Sequence, residues 1–212
     1  MKMSNGAPLS ITMVDKQLNQ PAIHRYTALV QELMGVRLNK GNYVMDGTMG
    51  NGFDTCFLWQ SVCPEGHVFA FDIQQQAIDN TRQRLIKAGC RWPNHEISLI
   101  HDCHSRISEY LSHPVKAAMF NLGYLPGGSK DKITTWINLR SALHALTTEG
   151  LLEAGGVISI ISYGGHEGGM EEQRNLLEYV HQLKEPQWHV TEIRKTNACM
   201  STAPLLIIIQ QN

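Results

Sequence analysis

The chain has 212 residues, enough for one domain with a substantial core. Its 18 Lys and Arg against 19 Asp and Glu leave a formal charge of −1, with 42% of residues apolar and 17% charged. That balance argues against bulk electrostatic capture of a polyanion, as by a basic arm, and leaves room for a local basic patch.

From the N-terminus, Met1 to Ser10 carry one Lys and no apolar core, so no signal peptide is expected there. Residues 1–22 are expected to be a poorly ordered extension ahead of a single domain over 23–212. Helical spacing predicts a helix over 23–34, a short strand over 42–46, a glycine-rich turn over 47–52 and a helix over 53–62. A strand over 67–72 and a long helix over 74–88 follow, the latter with Ala77, Ile78, Leu85 and Ile86 on one face. Further strands are expected over 96–101 and 115–121, then a helix over 133–147. Gly155-Gly156 lead into a β-branched strand over 157–163, and a helix over 171–183 comes next. Two last strands, 188–196 and 204–210, are separated by a short link.

Strands alternating with helices indicate a parallel sheet covered on both faces. The last link is too short for a parallel crossover, so the final pair is expected to be antiparallel. The result is an α/β, Rossmann-like, mostly parallel sheet of seven strands with a C-terminal antiparallel hairpin. It resembles the class I S-adenosyl-L-methionine (SAM) methyltransferases.

Cys56, Cys63, Cys90, Cys103 and Cys199 are odd in number and form no C-x-x-C. They read as thiols of a cytoplasmic protein rather than a disulfide framework or a zinc site. The longest apolar run, Pro204 to Ile209, is too short for a bilayer, so no membrane partner is expected.

Ligands of open α/β sheets bind at the carboxyl ends of the strands. After the first strand stands Asp46-Gly-Thr-Met-Gly50-Asn51-Gly52-Phe-Asp54-Thr55, where glycines permit a tight turn and a close ligand approach. The fingerprint G-x-G-x-x-G ends in Thr55 instead of Gly, which weakens a dinucleotide reading, and no Gly-Lys-Ser/Thr signals a P-loop. Asp72, twenty residues after Gly52, suits ribose hydroxyls or, alternatively, caps the next helix. Asp46 is placed to accept from a ligand amino group, and His101-Asp102-Cys103-His104 to flank an adenine. No further acidic or His cluster supports a metal, so none is expected.

The fourth strand ends in Asn121-Leu-Gly-Tyr124-Leu-Pro-Gly-Gly128, and a strand-terminal Asn can accept from the N–H of an attacking amine. A plain polar turn is the competing reading. Those runs, with Phe71-Asp-Ile-Gln-Gln-Gln-Ala-Ile78 and Tyr163-Gly-Gly-His166-Glu-Gly-Gly169, fall in an order that resembles a small bacterial family labelled rRNA methylases. Its better-defined members are tRNA methyltransferases acting on 5-aminomethyl-2-thiouridine at the wobble position. The resemblance spans about residues 24–210 by its ordered motifs. It implies SAM as donor, 5-methylaminomethyl-2-thiouridine as product, a tRNA anticodon loop as partner, and allows a homodimer. Two segments depart from the family pattern, Ser129-Lys130-Asp131 and the stretch from Asn197 to Pro204, and both concern the acceptor more than the cofactor.

The candidate cofactor contacts are Asp46, Thr48, Gly50, Asn51, Gly52, Asp54, Thr55, Asp72, Ile73, Gln74, Asp102, Cys103, His104 and Asn121. The candidate substrate contacts are Leu122, Gly123, Tyr124, Lys130, Gly164 and Gly165. An alkylamine with a pKa of about 10 has to lose a proton before it can attack. Asn121 is expected to orient it, while Tyr163 and His166 shape the pocket and relay the proton. Tyr124 and Trp136 are candidates for base stacking, and Lys130, Lys132 and Arg140 for phosphate contact. The alternatives are an rRNA or small-molecule amine acceptor, a non-catalytic SAM- and RNA-binding module, and NAD-dependent oxidoreduction.

Overall fold

The structure, a computed structural model, describes residues 26–123, 135–165, 168–198 and 203–212. Helix α1 (Tyr26–Gly35) buries Tyr26, Val30 and Met34, one turn apart on one face. Strand and helix then alternate: β1 (Tyr43–Asp46), α2 (Phe53–Val62), β2 (His67–Asp72), α3 (Gln75–Lys87) and β3 (Ile97–His101). A 3-10 turn (His104–Arg106) runs into the short α4 (Ile107–Tyr110). After it come β4 (Val115–Leu122), α5 (Trp136–Thr148), β5 (Leu152–Tyr163), α6 (Gly169–Val180), β6 (Trp188–Ile193) and β7 (Pro204–Gln211).

Successive residues of the central strands face opposite layers. Val44, Ala70, Met119, Ile161 and Leu206 pack with Val30, Leu58 and Leu85 of α1, α2 and α3. Met45, Phe71, Phe120, Ile160 and Ile207 pack with Leu139, Leu143 and Leu176 of α5 and α6 on the other side. A period of two with both faces apolar is what a strand between two helix layers requires. Each large side chain so buried contributes about 1.5–3 kcal/mol.

The strands lie in the order β3-β2-β1-β4-β5-β7-β6. The first five are parallel, and β7 runs antiparallel to both β5 and β6. The expected reversed strand and closing hairpin are therefore present. β6 stops at Ile193 rather than at residue 196, since its partner Leu206 lies at the start of β7, which begins at Pro204, and the connection covers 194–203.

The Gly155-Gly156 pair also differs from expectation, because it lies inside the fifth strand. β4 and β5 pair at Val115 and Leu152 and resume at Ala117 and Val157, so β5 bulges between. Gly155 has φ +68°, and a Cβ on Gly156 would stand 2.6 Å from the Glu153 carbonyl. Glycine at these positions is what lets the strand carry the bulge. The short α4 had no counterpart in the sequence reading, since a single buried Ile107 anchors it without any periodic pattern. The expected 1–22 extension and the expected start of α5 at residue 133 lie outside the described residues.

The sheet order reverses between β1 and β4, which opens a crevice at the carboxyl ends of the strands. Asp46, Asp72, His101, Leu122 and Tyr163 close those ends.

Candidate active site

Gly50 (φ +48°) and Gly52 (φ +76°) carry the turn from β1 into α2 through backbone that L side chains rarely adopt. A Cβ on Gly52 would stand 2.8 Å from the Cα of Thr81, so α3 sits directly against the turn. Three α3 side chains brace it: Asn80 donates to Asn51 Oδ1 (2.9 Å), Thr81 to the Gly50 carbonyl (3.2 Å), and Arg84 to the Asn51 carbonyl (2.6 Å). None of the three was singled out from sequence, though their spacing on one helix face was a readable signal. A Cβ on Gly47 would collide with the Phe120 ring at 2.3 Å, so that glycine admits the ring of the next strand.

Asp72 reaches back to the same turn. Its Oδ2 accepts from the Gly50 N–H (3.0 Å) and its Oδ1 from the Gln74 N–H (2.9 Å). A carboxylate offers about four lone-pair positions, so both the helix-start role and ligand hydroxyls fit it. Ile73, beside it, exposes 41% of its surface at the crevice end of β2, while Gln74 is buried. His101 donates to the Ile73 carbonyl through Nε2 (3.1 Å), which anchors that segment to β3.

The remaining β3 candidates separate. Asp102 accepts from the Cys103 N–H (2.7 Å), Arg106 (2.6 Å) and the Tyr110 hydroxyl (2.6 Å), and these bonds hold its carboxyl below the ordinary range. Cys103 is half-buried. His104, in contrast, is only 6% exposed and lies against the Phe120 ring under the glycine turn. Its Nδ1 donates to the Gly47 carbonyl (2.9 Å), and burial lowers its pKa to about 4. The expectation that it flanks an adenine meets a side chain that braces the turn from behind.

Beside the turn three acids gather, and among the described residues no cation forms a salt bridge with them. Asp46 is buried and accepts from Thr55 Oγ1 (2.6 Å) and the Thr48 N–H (3.1 Å). Burial, with Asp54 as the next cause, raises its pKa to about 7. Asp54 is raised by burial as well, and Asp72 likewise.

Asp54 accepts from Gln31 Nε2 of α1 (2.7 Å) and from Asn121 Nδ2. Gln31 was not foreseen, although a polar residue between buried positions of an apolar helix was a visible cue. Asn121 also donates its backbone N–H to Thr48 Oγ1 (2.7 Å). Its amide oxygen is buried and has no hydrogen-bond partner among the described residues. Leu122 is buried behind it, and Gly123 lies next to the Tyr163 ring. Tyr163 is 39% exposed, and burial followed by the Asp54 charge raises its hydroxyl pKa. Gly164 and Gly165 continue from it. Tyr124, Lys130, Lys132 and His166 lie outside the described residues. Trp136 meets Tyr179 edge-on and packs against the α5–α6 core.

Among the described residues no group of three His, Cys, Asp or Glu could hold a metal, and no helix is long and apolar enough to cross a membrane.

The family model described as "Putative rRNA methylase" matches residues 68–210. The chain belongs to the rRNA methylase family. A chloroplastic relative from Arabidopsis thaliana, the tRNA (mnm(5)s(2)U34)-methyltransferase, is 35% identical over 179 residues, 81% of this chain. The chain spans 64% of that relative's length. Among solved structures, a candidate rRNA methylase from Clostridium thermocellum shares 33% identity with a TM-score of 0.83, over 91% of this chain and all of its own. A candidate methyltransferase from Streptococcus mutans, in complex with S-adenosylhomocysteine (SAH), shares 33% identity with a TM-score of 0.78. It covers 89% of this chain and 98% of its own. The seven-stranded sheet with its reversed strand is thus the rRNA methylase fold.

Proposed function

We propose that this rRNA methylase family member is a SAM-dependent N-methyltransferase. Its acceptor is the aminomethyl nitrogen of 5-aminomethyl-2-thiouridine at the tRNA wobble position, and its product 5-methylaminomethyl-2-thiouridine. The observation that carries the acceptor chemistry is the buried amide oxygen of Asn121 at the end of β4, which has no partner among the described residues. A buried acceptor without a donor costs about 1–3 kcal/mol, a cost that an amine N–H would relieve. The Arabidopsis relative supplies the substrate class, and the SAH complex of the Streptococcus relative supports the cofactor.

SAM brings an activated methyl group on a cationic sulfonium, together with an ammonium. The residues present fit such a ligand. Asp46 and Asp54 form a buried acidic pair with no cation beside them among the described residues, and Asp72 is the carboxylate assigned to the ribose hydroxyls. The exposed Ile73 offers an apolar face for adenine, with the half-buried Cys103 and Asp102 beyond it. Thr48, Gly50, Asn51, Gly52 and Thr55 shape the turn that would enclose the ligand, and the Gln74 N–H holds Asp72.

On the acceptor side, Asn121 holds the nitrogen by accepting one of its N–H bonds. Correct placement of a reacting atom is what such a site chiefly contributes, and misplacement costs about 10²-fold. Tyr163 keeps its proton at neutral pH, since burial and Asp54 both oppose its ionisation, so it lines the pocket as a neutral ring. His166 is retained as the proton relay, and Gly164 and Gly165 as the substrate-facing turn, on the sequence pattern. An unstacked wobble base suits recognition in a pocket of this kind.

Nucleoside mass spectrometry of tRNA incubated with the protein and SAM tests the reading. The expected result is conversion of 5-aminomethyl-2-thiouridine to its N-methyl form; no gain on the wobble uridine would overturn the acceptor assignment. Asn121→Ala should keep SAM binding and lose about 10²-fold in turnover. The family description favours rRNA as the second acceptor, and the same assay on rRNA separates the two.

A further inference from the structure

The geometry points to Gln31, on α1, as a positioning residue that acts through Asp54 to keep the Asn121 amide oxygen turned toward the acceptor nitrogen. This inference rests on the reading of Asn121 as the group that holds the acceptor.

An asparagine amide has two ends of nearly equal shape, and only its hydrogen-bond partners decide which end points where. An ionised carboxylate accepts and cannot donate. Asp54 therefore selects the amide nitrogen of Asn121, which donates to Oδ2, and leaves the amide oxygen to the other side. That oxygen is buried and, among the described residues, unpartnered, as expected of an acceptor held ready. The Asn121 backbone is fixed independently by the Thr48 hydroxyl at 2.7 Å. The orientation of the amide thus depends on Asp54 staying ionised and staying put.

Both conditions are set by few groups. Asp46 from β1 faces Asp54 with a like charge, Tyr163 from β5 faces it with a neutral phenol, and Asn121 from β4 and Gln31 from α1 donate to it. Burial favours the neutral carboxyl. Gln31 opposes it, donating to Oδ1 at 2.7 Å from a helix that precedes β1, and so does the Asn121 amide. Without that bond Asp54 takes up a proton more readily. A protonated carboxyl can donate to the Asn121 oxygen, which would capture the atom the acceptor needs. The link joins an outer helix to the reacting end of the sheet across 23 residues of chain.

The test replaces Gln31 by Met, which keeps length and removes the donor, and by Lys, which keeps a donor. Methylation of tRNA is followed as kcat and KM across pH, with SAM binding measured by calorimetry. Gln31→Met should leave the SAM Kd within about twofold at the alkaline end of the profile, where Asp54 is ionised in both proteins, lower kcat roughly tenfold near neutrality, and move the acid limb of the kcat profile to higher pH. The amine of the acceptor contributes the same limb to every variant, so the difference between variants reports Asp54. Gln31→Lys should restore most of kcat and move that limb to lower pH. A merely structural role would lower stability and both constants without moving the limb. Unchanged kcat and pH profile in Gln31→Met, with Asn121→Ala inactive, would overturn the positioning role alone. An active Asn121→Ala would overturn the reading beneath it.

Discussion

At the scale of single residues, the chemistry gathers in carboxyl groups that no cation among the described residues pairs with. Asp46, with its pKa raised to about 7, is half protonated near neutrality. A cationic ligand binds the ionised form better, so ligand binding and proton release are linked. SAM affinity is therefore expected to weaken as pH falls from about 8 to 6. Asp46→Asn should weaken binding at pH 8 and flatten that dependence. Calorimetry at several pH values checks this; a wild-type affinity that does not change with pH would remove Asp46 from the cofactor's cradle. Asp46 and Asp54 were legible as candidates because they flank a glycine turn. The pairing of Asp54 with Gln31 was not, since it depends on where α1 packs rather than on any local motif. His104 shows the opposite case. In H-D-C-H it reads like a site residue, and only the fold reveals a ring turned under the turn and neutral down to about pH 4.

At the scale of elements, α3 does more than cover the sheet. Its Asn80, Thr81 and Arg84 grip the glycine turn, and Gly52 is the point of closest approach. Gly52→Ala would strain a residue at φ +76° by about 1–2 kcal/mol and push a methyl into the Thr81 backbone. The expected outcome is a melting temperature lowered by a few degrees and SAM affinity reduced about tenfold, since the turn must move to relieve both contacts. Thermal melts with and without SAM measure the two effects separately. Most strands were readable from their β-branched runs, because burial on both faces demands apolar residues throughout. The bulge of β5 was not, because Gly155-Gly156 is also what a loop ahead of a strand would contain. The same ambiguity explains the missed α4, where one buried Ile107 is too little periodicity to read.

At the scale of the whole molecule, two buried carboxyls and one buried imidazole shape stability against pH. Glu172, in the first turn of α6, is buried with both oxygens unpartnered among the described residues, and its pKa rises to about 7 through burial. Asp46 and Glu172 keep protons in the fold up to about pH 7, against ordinary values of 3.8 and 4.5. The folded state thus binds more protons than the unfolded one in that window, and their contribution is lost as pH rises through 7. His104 works in the other direction. It stays neutral in the fold down to about pH 4 and charges near 6.5 when unfolded, so its contribution is lost as pH falls below 6.5. Glu172→Gln should accordingly stabilise the protein at pH 8, by roughly 2 kcal/mol, and have little effect at pH 5. Urea unfolding at the two pH values checks it; equal effects at both would show that Glu172 is not the group that titrates.

The position of β7 has a further consequence for how the molecule is made. β7 lies between β5 and β6, and β6 pairs with β7 alone. During synthesis the β6 segment leaves the ribosome with no neighbour to hydrogen-bond, and β5 keeps one open edge. Both wait for residues 204–211, which wedge between them and bury Leu205, Leu206, Ile207 and Ile209 at once. The sheet is therefore completed by insertion from within rather than by growth at its margin. Until that moment a nascent chain exposes an unpaired strand edge of the kind that other chains can capture.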